Sequence, residues 1–116
     1  MKLEVGQFAR LKSGYICKVI NINDFREPNM KYGVEANYLK DVMFIGDDNI
    51  VKASYNIIDI LEVGDYVNGV EVINIDDEWI TMSDMQVPIL KSIANGMIKS
   101  VITHEQMEQM AYKVVE

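Results

Sequence analysis

The chain has 116 residues, of which 49% are hydrophobic and 25% charged, a globular balance that excludes a disordered or low-complexity protein. No run approaches the roughly 18 to 20 apolar residues that a membrane-spanning helix needs. The formal net charge is −7, which disfavours direct binding of nucleic acid, since capture through phosphates requires a basic stripe.

In chain order, Gln7 to Lys12 reads as a strand, Ser13-Gly14 as its turn, and Tyr15 to Ile22, rich in β-branched residues, as the returning strand. From Phe25 to Asn37 the residues Pro28, Asn29 and Gly33 mark a loop. Tyr38 to Ile45 is the next expected strand, Gly46-Asp47-Asp48-Asn49 a turn, Ile50 to Ser54 a strand, and Asn56 to Leu61 a single helical turn. The opening then recurs. Leu3-Glu4-Val5-Gly6-Gln7-Phe8 returns as Leu61-Glu62-Val63-Gly64-Asp65-Tyr66, and Val19-Ile20-Asn21-Ile22-Asn23-Asp24 as Val72-Ile73-Asn74-Ile75-Asp76-Asp77. The displacements are 58 and 53 residues, so the second copy is five residues shorter between its two echoes. Self-similarity of this kind indicates two related modules in tandem.

The second copy runs through Asp65 to Val67, the turn Asn68-Gly69, and Val70 to Ile75. Asn-Gly is the strongest two-residue hairpin signal, because a type I′ turn needs positive φ at both central positions. The arms before and after the turn glycine shorten by three and two residues relative to the first copy, and a bulge in one copy accounts for the mismatch. Asp76-Asp77 is a turn, Glu78 to Met82 a strand, and Val87 to Ile93 another, with Pro88 best suited to an edge. Asn95-Gly96 leads to a strand at Met97 to Ile102. Thr103-His104-Glu105-Gln106 is a capping box that opens a helix over 103–110, with Met107 and Met110 expected against the core. A closing strand is expected from Tyr112 to Val115.

Short strands, tight turns and two copies predict a mainly β protein of two tandem, related SH3-like small barrels with one short C-terminal helix. The modules are residues 1–60 and 61–116. Each is at the size where a lone core is marginal, so the expectation is that they pack together as one body. Charge divides at the same point: residues 1–60 carry eight Lys/Arg and eight Asp/Glu, residues 61–116 three Lys and ten acids. The whole negative excess lies in the second module. Cys17 is the only cysteine, and Glu4 falls where a signal peptide would be apolar; both point to the cytoplasm.

Catalytic and metal patterns are incomplete. His104-Glu105 begins like an H-E-x-x-H zinc helix, but Glu108 stands where the second histidine belongs. Asn74-Ile75-Asp76-Asp77-Glu78 begins like a calcium loop, but Trp79 occupies the glycine position. Cys17 lies in a strand and reads as inert filling. No glycine-rich phosphate loop occurs. The expectation is therefore no enzyme, no cofactor and no metal. Two features remain: Trp79 directly after Asp76, Asp77 and Glu78, which is either an aromatic anchor beside an acidic turn or core filling, and eight methionines, five of them in the second half, which suit an irregular core or an adaptable surface.

Three stretches carry a resemblance: Val5-Gly6 through Lys18-Val19, Asn56 through Gly69, and Ile98 through Tyr112-Lys113-Val114. They resemble a family of small phage and prophage proteins of low-GC Gram-positive bacteria with SH3-like modules. The middle stretch is the most specific, and the departures lie mainly at 25–50 and 80–96. The resemblance implies a phage-type origin and action in the host cytoplasm, and supplies no catalytic residues. By analogy with small accessory phage proteins, the expected role is anti-defence. The first expectation is inhibition of a host protein with a basic surface, for example a CRISPR nuclease, through Asp76, Asp77, Glu78 and Trp79. The alternative is a sponge that sequesters a nucleotide signalling molecule, with Arg10, Lys12, Tyr15, Arg26, Lys31 and Tyr38 as ligand-binding residues and an oligomer interface as its site.

Overall fold

The computed structural model describes residues 2–36 and 40–114. The chain divides into two compact units, Met1–Ile60 and Leu61–Glu116. In the first unit β1 (Phe8–Leu11), β2 (Ile16–Ile22), β3 (Tyr32–Glu35), β4 (Met43–Ile45) and β5 (Ile50–Ser54) form an antiparallel sheet in the order β4-β3-β2-β1-β5. In the second, β6 (Tyr66–Val67), β7 (Val70–Ile75), β8 (Trp79–Met82), β9 (Ile89–Leu90) and β10 (Val101–Ile102) form another in the order β10-β6-β7-β8-β9. In both, the fifth strand returns to pair with the first. The helices are α1 (Lys91–Asn95) and α2 (His104–Met110). None among the described residues is long and apolar enough to cross a membrane.

Both sheets are open. β4 and β5 are the edges of the first and β10 and β9 of the second, so the expectation of closed barrels is corrected. In the second sheet, strands of two residues at β6, β9 and β10 offer few ladder hydrogen bonds with which to bring the edges together.

The two hairpins after the echoed segments share their backbone geometry. Gly6 and Gly64 both have φ near 96°, at the third position of turns closed by Gln7 N–H to Glu4 O (3.2 Å) and Asp65 N–H to Glu62 O (3.1 Å). Positive φ there is the type II signature. Gly6 then donates to Val19 O at 2.8 Å and Gly64 to Val72 O at 2.9 Å. Each second strand shifts register after its buried valine, between Val19 and Asn21 and between Val72 and Asn74. The tips differ. Val67 pairs with Val70 across Asn68 (φ 51°) and Gly69 (φ 83°), as a two-residue type I′ turn requires. The first hairpin closes with Leu11 N–H to Tyr15 O and Gly14 N–H to Leu11 O, both 2.9 Å, a three-residue turn ending in glycine at φ 91°. The one-residue mismatch between the copies is thus the glycine bulge of the longer turn.

The first unit buries Leu3, Ala9, Leu11, Cys17, Val19, Tyr32, Val34, Ile45 and Ile50 in one core, each large side chain contributing about 1.5–3 kcal/mol relative to exposure. The second buries a smaller apolar set, Leu61, Val67, Val72, Ile80 and Met82, together with Asp65 and Thr103. Val19 and Val72 are fully buried, while Ile22 and Ile75 are half-buried.

Several expected elements differ. The stretch read as a loop at 25–37 contains β3, which pairs with both β2 and β4. Gly33 masked it locally, yet glycine suits the close packing there, since an added Cβ would lie 3.2 Å from the Cβ of Asn21. The strand expected at Tyr38 to Ile45 is ordered as a strand over Met43–Ile45; Tyr38 itself lies outside the described residues. The strand expected at Val87 to Ile93 stops at Leu90, whose partner Trp79 is the first residue of β8. One further bond, Lys91 N–H to Glu78 O at 2.9 Å, ends the pairing, and the chain turns into α1. Met97 to Ile102 is a strand only at Val101–Ile102. Met107 and Met110 do not pack inward, with 38% and 74% exposure. Tyr112 to Val114 form no strand and are exposed; Val115 lies outside the described residues.

Candidate functional site

β7 and β8 meet in a tight turn, with Asp76 N–H donating to Trp79 O at 2.8 Å across Asp77 and Glu78. All four residues are exposed. Trp79 retains 41% of its surface, so it does not fill the core of the second unit. The reason is register. Ile80 points inward and is buried, so Trp79, its neighbour along the strand, must point outward. Leu90 lies opposite Trp79 on β9, and Thr81 opposite Asn74, so the outer face groups Asn74, Asp76, Trp79, Thr81 and Leu90. The hairpin presents a partly exposed indole next to three carboxylates.

The residues expected to hold a nucleotide are placed otherwise. Arg10 is fully buried and donates from Nη1 to Ile60 O at 3.1 Å, locking the end of the first unit instead of facing a ligand. Arg26 stacks its guanidinium 4.3 Å from the Phe44 ring and donates to Asn21 Oδ1 at 3.0 Å. Lys31 pairs with Asp24 at 3.2 Å, and that contact raises its pKa from the usual 10.5. Tyr15 is half-buried against the core and Lys12 is exposed at the hairpin tip. Tyr38 lies outside the described residues. Tyr32, one of the tyrosines that motivated the nucleotide reading, is buried and donates to Asp47 Oδ1 at 2.8 Å; burial first and that hydrogen bond second raise its pKa. Burial pushes the Cys17 thiol up to about 11, which keeps it protonated and unreactive.

A second cluster was not legible as a site in the sequence. His104 Nε2 lies 2.8 Å from Glu62 Oε1 and 2.9 Å from Glu105 Oε1. Two residues adjacent in sequence are joined by one from 42 positions away. Asp65 makes this possible: buried, it accepts Glu62 N–H at Oδ2 (2.7 Å) and His104 N–H at Oδ1 (2.9 Å). The capping box holds the other side, with Gln106 N–H to Thr103 Oγ1 at 3.2 Å and Thr103 N–H to Gln106 Oε1 at 2.9 Å. Gly64 leaves room for the imidazole, since an added Cβ would meet His104 Cβ at 3.3 Å. The first unit has a simpler counterpart, in which Glu4 accepts from the Tyr55 hydroxyl and Gly6 lies under the Tyr55 ring. The signal that could have found Glu62 is its place in the repeat, because the echoed Glu-Val-Gly turn puts a glutamate at the same point in both copies.

Comparison with protein families, with curated proteins and with solved structures finds no match to this chain.

Proposed function

We propose that this is a non-enzymatic, phage-type interaction protein that acts in the host cytoplasm against defence, by capturing a host protein with a basic surface. The observation that carries this reading is the exposed Trp79 at the end of a turn bearing Asp76, Asp77 and Glu78. A tryptophan left 41% exposed forgoes part of the hydrophobic stabilisation that full burial brings, and tryptophan is enriched among residues that anchor interfaces. Three adjacent carboxylates add attraction to Arg or Lys, which raises encounter rates and fixes orientation. The negative excess of residues 61–116 extends that field over the same unit. A nuclease of CRISPR type is a fitting target, because its nucleic-acid channel is basic. We further read the two units as tandem copies of an SH3-like module. The matched turns at Gly6 and Gly64, the register shifts after Val19 and Val72 and the common strand order support a duplication.

The nucleotide sponge has less support, because Arg10 is buried and the charged ends of Arg26 and Lys31 already have protein partners. The test is charge reversal. A variant carrying Asp76→Lys, Asp77→Lys and Glu78→Lys is expected to associate with its host partner on the order of tenfold more slowly. Wild-type capture from host lysate, and inhibition of a purified CRISPR nuclease, are expected to weaken as salt rises. Capture that is insensitive both to salt and to charge reversal removes this reading.

A further inference from the structure

We propose that Glu62, His104 and Glu105 form a binding site for a divalent transition-metal cation of the zinc class. The ligand atoms, one from each residue, all lie within 4.8 Å of one another. The imidazole carries the argument. His104 Nε2 bears at most one proton, yet carboxylate oxygens from two residues approach it, at 2.8 and 2.9 Å. One N–H cannot point at both with good geometry, and an unprotonated Nε2 would meet them with its lone pair. A cation bonded to all three would take one lone pair from each residue. It also neutralises two carboxylates brought to one nitrogen.

The first unit provides an internal comparison. Its glutamate at the same turn, Glu4, meets one hydroxyl donor, Tyr55, which is sufficient to pin the turn. The second unit replaces that phenol with an imidazole and adds a further carboxylate, which pinning does not require. The support beneath the ligands also differs: Gln7 accepts the Glu4 amide, at 2.9 Å, whereas Asp65 accepts the amides of both Glu62 and His104. Buried hydrogen bonds that fix ligand backbones are what preorganises a metal site.

Size and ligand chemistry choose the cation. Metal–ligand bonds of about 2.0–2.2 Å place tetrahedral ligand atoms about 3.3 Å apart, so each carboxylate oxygen would draw back from the imidazole nitrogen by about half an ångström. The side chains of His104, Glu62 and Glu105 keep 41%, 30% and 26% exposure, which gives them that freedom. A nitrogen ligand disfavours calcium and magnesium, and imidazole with carboxylate suits zinc, cobalt or nickel. This proposal is independent of the Trp79 hairpin.

Zinc chloride titrated calorimetrically into the full chain is expected to bind one equivalent, with excess magnesium failing to compete. His104 is the only histidine, so cobalt is expected to shift a single set of imidazole resonances. His104→Tyr, Glu62→Gln and Glu105→Gln are each expected to weaken zinc binding by about tenfold or more. Glu105→Gln is nearly isosteric and lies outside the buried core, so its effect reports ligation and not unfolding. Absence of zinc binding, or any one of the three variants binding as tightly as the parent, would overturn the site and leave an ion-pair clasp.

Discussion

Thr103 accepts the amide proton of Gln106 while its own amide is held by the Gln106 side chain, and it is fully buried. Thr103→Ala is therefore expected to cost about 0.5–2 kcal/mol, read as a lower denaturant midpoint with an unchanged slope. Trp79 behaves in the opposite way. At 41% exposure it lacks the enclosure that makes a core Trp→Ala cost about 3–5 kcal/mol. Trp79→Ala is expected to change stability by less than about 1.5 kcal/mol while weakening partner capture. A large loss of stability with intact capture would return Trp79 to a structural role. The indole was legible as an anchor or as core filling from sequence; only the strand phase set by Ile80 separated the two.

At the scale of elements, the β6–β7 hairpin does more than turn. Asn68 Oδ1 accepts the amides of Lys99 (2.8 Å) and Ser100 (3.1 Å), and its Nδ2 donates to Met97 O at 2.9 Å. These bonds bring the segment before β10 alongside the turn and so set up the edge pairing Val101 to Val67. Asn68→Gly preserves the positive φ but deletes all three bonds, and is expected to cost about 1–3 kcal/mol. Loss of protection of the Ser100 amide in hydrogen exchange would locate the effect. An Asn68→Gly variant as stable as the parent would show that the turn geometry alone holds the hairpin. The Asn-Gly turn was readable because its residues are fixed by local dihedral preference. The bonds to 97–100 were not, since they span about thirty positions.

For the whole molecule, pH acts through several groups of the first unit in one direction. The Cys17 thiol ionises near 9 when unfolded and is pushed up to about 11 by burial. The unfolded state therefore releases its proton first, and stability falls as pH rises from about 9 towards 11. The raised phenol of Tyr32, which burial and Asp47 hold protonated, adds a loss of the same sign at alkaline pH. Denaturant midpoints are expected to drop across that window, less so in Cys17→Ala. A flat profile to pH 11 would contradict the buried thiol.

By itself the sequence determined the echoed turns with their hairpins, the α2 cap and the confinement of charge to residues 61–116. Each rests on local dihedral preference, spacing or composition, which need no partner. Tertiary structure decided the rest. It inserted β3 into a stretch marked by Pro28 and Gly33, because pairing with β2 and β4 outweighs the local propensity of four residues. It curled the chain after Leu90 into α1, because Leu90 already faces Trp79, the first residue of β8. It buried Arg10 and exposed Trp79, Met107 and Met110, since burial depends on which face meets the core. It brought Glu62 to His104 through the buried carboxylate of Asp65, a contact across 42 positions that no spacing rule encodes.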